Sequence, residues 1–236
     1  MIGRDFLRSR LERAIDWLLP SECALCGAAI ASRADLCDGC ERSLPRLDGC
    51  CSRCAVPLEV AAPDALCGQC QQQLPPYDSV HAPFRYAPPL DRLVQGAKYH
   101  GRLDWLQLLG RRLARHVASR RGDVDAAVAV PLHPTRLRER GYNQSVELLR
   151  VLGAELNLAA RAPLERVRAT PPQAQLSSAA RRRNVRGAFV SMARLEGLRL
   201  ALVDDVMTSG ATVEEATQCL LDAGAASVEV WVVARA

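Results

Sequence analysis

Residues 198–235, LRLALVDDVMTSGATVEEATQCLLDAGAASVEVWVVAR, carry the clearest pattern of secondary structure in the chain. The two ends of this stretch, residues 198–205 and 227–235, are nearly continuous apolar runs, which is typical of parallel strands buried on both faces. Residues 212–224 between them follow a helical apolar pattern that closes on Gly224. The order strand, helix, strand predicts an α/β fold with a parallel sheet and helices on both faces, with ligands bound at the carboxyl ends of the strands.

The chain upstream of this stretch continues the same alternation. The pattern predicts a strand over residues 79–86 and a buried strand over residues 125–133. It predicts helices over 89–99, 103–119 and 143–156.

The turn after the first strand, DDVMTSGAT at residues 204–212, has the composition of a phosphate site. Gly210 permits a tight turn, and backbone N–H groups at a helix N-terminus can cradle a phosphate. The two carboxylates before it can accept hydrogen bonds from sugar hydroxyls or hold Mg²⁺. We therefore predict a site made of Asp204, Asp205, Val206, Met207, Thr208, Ser209, Gly210, Ala211 and Thr212. A simple strand end followed by a helix cap is the alternative.

Eight of the ten cysteines form four C-x-x-C pairs, which are Cys23/Cys26, Cys37/Cys40, Cys51/Cys54 and Cys67/Cys70. Each pair can occupy two corners of a tetrahedral Zn²⁺ site at about 2.3 Å, so four pairs predict two structural zinc ions. Sequential pairing is favoured over interleaved pairing, because loops of about ten residues between knuckles suit a short hairpin. Disulfide bonds are the competing interpretation.

The two remaining cysteines have simpler interpretations. Cys50 could replace its neighbour Cys51 as a ligand, and Cys219 lies in a helical apolar pattern as a small core residue. The chain is then organised as an amphipathic helix over residues 1–20, a zinc-ribbon module over 21–76 and an α/β domain over 77–236.

Composition excludes several classes of protein. A hydrophobic content of 49% and a charged content of 24% are ordinary for a globular chain and argue against disorder. No apolar run approaches the length of a membrane span or signal peptide, so we expect a cytoplasmic protein. The formal charge is −2 over residues 1–76 and +7 over residues 77–236, which predicts an anionic partner for the second part.

Basic residues suggest how such a partner is held. Arg138 and Arg140 lie in a predicted loop after the strand that ends at Val130, where they could clamp a pyrophosphate; a solvated loop is the alternative. Lys98, the only lysine, is a further candidate phosphate ligand. The outer cluster Arg181–Arg183 could cover a bound substrate or contact nucleic acid. His133 could be a base, although a lone histidine is more often structural.

The segment LVDDVMTSGAT resembles the loop of type I phosphoribosyltransferases that binds phosphoribosyl pyrophosphate (PRPP), with Ser209 in place of the usual second threonine. Together with residues 96–102, 130–145, 168–189 and the cysteine pairs, it is similar to the ComF family. The resemblance implies a zinc ribbon fused to a phosphoribosyltransferase-like domain that takes PRPP with Mg²⁺, and an association with DNA uptake.

The resemblance leaves two functions open. One is an enzyme of the phosphoribosyltransferase type, with Asp204 and Asp205 acting on the ribose or on Mg²⁺. The other is a non-catalytic accessory protein that binds single-stranded DNA or a nucleotide during natural transformation. Implied partners are PRPP or a phosphorylated nucleotide, single-stranded DNA and a DNA-uptake helicase.

Overall fold

The structure is a computed structural model that describes residues 21–30, 35–59, 62, 64–169 and 183–236. The predicted helix over residues 1–20, and Arg181 and Arg182, lie outside the described residues. The strands are β1 (Ser21–Glu22), β2 (Ala29–Ile30), β3 (Ser79–His81), β4 (Phe84–Arg85), β5 (Ala126–Ala129), β6 (Ala159–Arg161), β7 (Leu164–Arg166), β8 (Phe189–Ser191), β9 (Arg199–Met207) and β10 (Ser227–Arg235).

The helices of the described ranges are α1 (Asp38–Ser43), α2 (Gly68–Gln72), α3 (Leu90–Tyr99), α4 (Leu103–Ala118), α5 (Pro134–Arg140), α6 (Gln144–Leu156) and α7 (Ala211–Asp222). None of them combines the length and the apolar character that a membrane crossing needs.

The main sheet has the strand order β3-β10-β9-β5-β6, and every pair in it is parallel. This confirms the parallel α/β fold. β4 also pairs with β10, next to β3, so the single strand predicted over residues 79–86 is divided in two. Pro83 lies at the division, and it has no N–H to donate to a neighbouring strand.

Helices cover both faces of the sheet, as the sequence predicted. Alternate residues of β9 point to opposite faces, so Leu200 and Leu202 pack in one core with α7. Ala201 and Val203 pack in a second core with α3, α4 and α6. The carboxyl ends of β5 and β9, between these two layers, are therefore open to a ligand.

The cysteine-rich segment packs against the sheet domain at two places. Its first part is held to α4 by ion pairs: Arg111 lies 2.6 Å from Asp35, and Nε of Arg112 donates to Glu41 at 2.9 Å. Its second part belongs to the same apolar core as α7, through the buried Cys51, among others. Each half of the segment thus packs with a different one of the two cores.

Candidate functional site

A cavity of about 320 Å³ lies at the carboxyl edge of the sheet. It brings together seven of the predicted site residues, which are Lys98, Arg140, Asp204, Asp205, Val206, Thr208 and Thr212. The other lining residues are Tyr86, Tyr99, Val130, Leu132, His133, Arg136, Gln144, Ser145 and Arg166. We call this cavity the acidic-pair pocket, after Asp204 and Asp205.

The predicted phosphate turn is shorter than residues 204–212, because β9 runs on to Met207 and α7 begins at Ala211. Gly210 is the helix N-cap, with φ +83°. A Cβ atom added there would lie 2.9 Å from Cε of Met207, the flexible end of that side chain, so it is the left-handed backbone conformation that favours glycine. The turn therefore directs the first free amides of α7 beyond the end of the strand.

The predicted residues divide between two sides of this turn. Val206, Thr208 and Thr212 line the acidic-pair pocket. Met207 and Ser209 line a second cavity on the other side, and Oγ of Ser209 accepts a hydrogen bond from the Ala211 amide at 3.5 Å. The alternation of side chains along β9 separates Val206 from Met207.

The acidic pair is held by a short hydrogen-bond network. Oγ of Ser145 donates to Oδ1 of Asp204 at 2.8 Å, and the Asp205 amide donates to the same oxygen at 2.9 Å. Oδ1 of Asp205 accepts from the Val206 amide at 2.7 Å, while Oδ2 lies 2.8 Å from Nζ of Lys98. The two carboxylates are thereby fixed in orientation at the floor of the pocket.

Burial and the charges in this network shift the pKa values of Asp204 and Lys98. Burial, together with repulsion from Asp205, raises the pKa of Asp204 to about 6, against the opposing effects of Lys98 and Ser145. Burial lowers the pKa of Lys98, but attraction to Asp205 outweighs it and the pKa is raised. Lys98 is therefore protonated at neutral pH, and Asp204 gains or loses a proton near pH 6.

The arginines after β5 lie on a helix and not in a loop, so this expectation was wrong. Pro134 at the first turn and Gly141 at the C-cap, with φ +82°, delimit α5 and were sequence signals for it. Arg136 and Arg140 are four residues apart on one helix face and both line the pocket. Arg138, on the opposite face of α5, does not line the pocket.

His133 is the N-cap of α5, where its Nδ1 accepts from the Thr135 amide at 3.3 Å. It also lines the pocket. Capping of α5 therefore accounts for Nδ1 of His133, and the described contacts do not give His133 the role of a base.

Sequence reasoning missed several polar residues of the pocket, among them Ser145 and Arg166. Ser145 reaches Asp204 because Asn143 caps α6, donating from Nδ2 to the Val130 carbonyl at 2.9 Å and accepting from the Ser145 amide. The cap was visible in the sequence, and it placed Ser145 near the end of β5. Arg166 enters from the β7–β8 hairpin, with its guanidinium 5.5 Å from the Phe189 ring centroid. Nothing in the sequence distinguishes Arg166 from the other arginines.

The cysteine pairs assemble sequentially, as the loop lengths predicted. Cys23, Cys26, Cys37 and Cys40 form one group and Cys51, Cys54, Cys67 and Cys70 the other, with the sulfur atoms of each group within 4.8 Å of one another. The Sγ atoms are 3.8 Å apart in Cys26/Cys37 and 3.6 Å apart in Cys54/Cys67. A tetrahedral zinc with bonds of about 2.3 Å requires about 3.8 Å. Both groups therefore fit structural Zn²⁺, and all ten cysteines are free of disulfides.

Each group holds one thiol of lowered pKa beside thiols of raised pKa. Burial and the neighbouring cysteines raise the pKa of Cys40 to about 12 and that of Cys54 to about 11, and they also raise the pKa of Cys70. Burial raises the pKa of Cys23, but backbone N–H donors outweigh it and lower the pKa to about 6. The pKa of Cys51 falls to about 7 for the same reason. Cys50 is outside both groups, so it does not replace Cys51, and Cys219 packs beside the apolar core as expected.

The two Cys₄ groups define a double zinc ribbon, and it is followed by a parallel α/β sheet with an acidic strand end before a helix N-terminus. The double zinc ribbon domain family matches residues 14–71. The chain is 37% identical over 224 residues to the DNA utilization protein YhgH of Salmonella typhimurium, covering 92% of this chain and 98% of that protein. It is 33% identical over 211 residues to competence protein F of Haemophilus influenzae, covering 85% of this chain and 90% of that protein. The chain belongs to the ComF family.

Solved structures with partial similarity include glutamine PRPP amidotransferase from B. subtilis complexed with ADP and GMP. That match has a TM-score of 0.38 and 24% identity, and it covers 54% of this chain and 25% of that chain. Purine phosphoribosyltransferase from Pyrococcus horikoshii Ot3 gives a TM-score of 0.33 and 12% identity over 57% of this chain and 82% of that one.

Proposed function

We propose that the acidic-pair pocket binds PRPP, or another 5-phosphoribosyl ligand, together with Mg²⁺. The observation that supports this most is the placement of Asp204, Asp205, Thr208 and Thr212 around one cavity beside the N-terminus of α7. Sugar hydroxyls need acceptors and a phosphate needs donors, and the two sets stand next to each other here.

Each part of the ligand has a complementary part of the pocket. The amides at the start of α7 and the hydroxyls of Thr208 and Thr212 would hold the 5′-phosphate. Asp204 and Asp205 would accept from the ribose hydroxyls or hold Mg²⁺, which would supply charge neutralisation to the pyrophosphate. The pyrophosphate would lie among cations, of which the pocket offers Lys98, Arg136, Arg140 and Arg166.

This arrangement suits transfer of the phosphoribosyl group. The bond between C1 and pyrophosphate would break with its electron pair leaving on the pyrophosphate oxygen, while a nitrogen nucleophile of the acceptor forms the new bond at C1 and loses its N–H proton to the released pyrophosphate. Positive charge develops on the ribose and negative charge on the leaving group. The carboxylates would stabilise the positive charge on the ribose, and the arginines would stabilise the negative charge on the pyrophosphate. The acceptor nitrogen is the nucleophile, so none is needed from the protein.

The cellular role that we propose follows the relatives. They are named a DNA utilization protein and a competence protein, so we place this chain in the handling of DNA or its nucleotides, in the cytoplasm. Single-stranded DNA and a DNA-uptake helicase are the partners that this role suggests.

A second candidate is an accessory protein that binds PRPP, a nucleotide or a DNA end in the same pocket without turnover, which the names of the relatives also favour. Pure protein mixed with PRPP and Mg²⁺ distinguishes the two, with pyrophosphate release measured over a panel of nitrogen bases. Release that Asp205→Asn abolishes supports the transferase. DNA binding with a steep salt dependence and no release supports the accessory role.

A further inference from the structure

The second zinc ribbon is joined to the phosphate turn by one side chain, Arg235, the last residue of β10. Arg235 is 7% exposed. Its Nε donates to the carbonyl of Cys54, a cysteine of the second Cys₄ group, at 2.9 Å. Its Nη1 donates to the carbonyl of Met207 at 3.1 Å, and also to the carbonyls of Thr208 and Ala236. One buried guanidinium thus contacts a metal knuckle and the start of the turn.

The partners of this guanidinium are main-chain oxygens, those of Cys54, Met207, Thr208 and Ala236. Burying a charge in this way is expensive unless its hydrogen bonds are well made. The guanidinium therefore restrains the backbone at Cys54 relative to the backbone at the start of the turn. If either segment moved, N–H donors of a buried cation would lose their acceptors.

Apolar packing also joins the turn to the ribbon, because Met207 is buried in one cluster with Cys54 and Cys70. This packing is interrupted by a cavity of about 230 Å³, which is lined by ribbon residues and by Met207, Ser209 and Glu214. Side chains that surround a cavity make fewer contacts than those in a filled core. The hydrogen bonds of Arg235 therefore add a polar link to an incompletely packed contact.

The position of the Cys54 carbonyl depends in turn on the metal knuckle. Ala55, the next residue, has φ +55°, a left-handed conformation that is unfavourable for alanine. Coordination of Cys51 and Cys54 to one ion would fix this knuckle. Without the ion, this unfavourable backbone would be held by two hydrogen bonds of 2.9 Å, from the Ala55 amide to the Cys51 carbonyl and from the Cys51 amide to the Val56 carbonyl, and the Cys54 carbonyl would be less firmly placed.

We infer that Arg235 makes the phosphate turn depend on zinc in the second Cys₄ group and not on zinc in the first. The first group packs on the other face of the sheet, where Arg112 and Glu41 join it to α4. Neither residue lines the acidic-pair pocket. Arg235 is therefore a positioning residue for the turn, and this role rests on the proposed function only where ligand binding is concerned.

The test measures amide hydrogen exchange of residues 207–212 and zinc content in the full chain, with ribose 5-phosphate as the probe ligand. Cys70→Ser removes the second zinc and Cys40→Ser removes the first, as a matched control. Arg235→Gln breaks the connection with both zincs retained, and Arg112→Gln is the control for a buried arginine that joins ribbon to sheet elsewhere.

We expect exchange in the turn to be at least tenfold faster in Cys70→Ser and Arg235→Gln, and unchanged in Cys40→Ser and Arg112→Gln. Ribose 5-phosphate affinity should fall at least tenfold in the first two only. Arg235→Lys, which keeps a cation and one donor group, should show an intermediate exchange rate, and it replaces Arg235→Gln if that variant does not fold.

Unchanged exchange in Arg235 variants, or equal acceleration in all four variants, overturns the inference. The exchange measurement does not need a ligand. If the wild-type chain fails to bind ribose 5-phosphate while the turn still responds to Cys70→Ser and Arg235→Gln, the proposed function is wrong and the connection stands.

Discussion

Nζ of Lys98 lies 2.8 Å from Oδ2 of Asp205, so the only lysine of the chain is paired with one of the two carboxylates at the end of β9. The pair links α3 to the carboxyl edge of the sheet. Its ammonium also faces Asp204, whose pKa it lowers against the larger effects of burial and Asp205. Lys98 therefore favours the ionised form of Asp204 as well as contributing a cation to the pocket.

Removal of this cation should shift the pH dependence of binding. In Lys98→Met the pKa of Asp204 should rise above its value of about 6, because only Ser145 and the Asp205 amide still stabilise the carboxylate. Ribose 5-phosphate, which has no pyrophosphate for Lys98 to contact, should then be lost on acidification about one pH unit earlier than in the wild type. Calorimetry from pH 5.5 to pH 8 measures the midpoint. Lys98→Arg is the control that keeps the charge, and an identical midpoint in Lys98→Met would contradict the assignment.

The ionised Asp204 carboxylate should lower the free energy of unfolding of the protein without a bound ligand. Its folded pKa of about 6 lies above the ordinary value of 3.8, so the folded state binds a proton at a higher pH than the unfolded state does. The cost of ionisation is present in full above pH 6 and fades as the pH falls towards 4. Asp204→Asn should thus be more stable than the wild type by about 1–3 kcal/mol at pH 8 and by about half as much at pH 5. Denaturant unfolding, with zinc content verified at each pH, checks this; a less stable variant at pH 8 would be the opposite result.

Substitutions on the two faces of α5 should differ in their effect on the affinity for PRPP. Arg140→Ala should weaken PRPP binding by about 1–3 kcal/mol, because it removes a charge-assisted hydrogen bond to phosphate. Arg138→Ala, an exposed substitution on the face away from the pocket, should change it by less than about 0.5 kcal/mol. Equal effects of the two substitutions would mean that α5 contributes only general positive charge.

The two zinc ions should leave at different rates. Cys26 of the first group is exposed, whereas Cys51, Cys54 and Cys70 of the second are buried. A chelating indicator should therefore report two phases, one zinc each, and Cys40→Ser should lack the fast phase. Metal analysis close to zero in the untreated protein, with thiols oxidised in pairs, would show that the cysteines form disulfides instead.

Much of the fold was predictable because its signals are local. The apolar runs of β9 and β10 and the four C-x-x-C pairs indicate buried strands and zinc knuckles without knowledge of their neighbours. Residues 134–140 carry an equally local signal, because Pro134 and Gly141 delimit the helix that forms where a loop was predicted.

The site was predictable only where its residues are adjacent in the chain. Asp204, Asp205, Thr208 and Thr212 follow one another around a turn, so their convergence could be seen in the sequence. Arg166 reaches the pocket from β7 and contacts the Phe189 ring on β8. Arg235 reaches the turn from β10 and donates to backbone carbonyls. Contacts of that kind are fixed by packing and leave no pattern in the sequence.

Titration calorimetry of the zinc-loaded chain with PRPP and Mg²⁺ tests whether the acidic-pair pocket binds PRPP. The wild type should bind, with affinity that depends on Mg²⁺, and Asp205→Asn and Thr208→Ala should each lose at least tenfold. Thr135→Ala, a folded control outside the pocket, should bind as the wild type does. A wild-type protein with two zincs and a native unfolding transition that shows no binding, or one whose affinity neither substitution alters, would contradict the account.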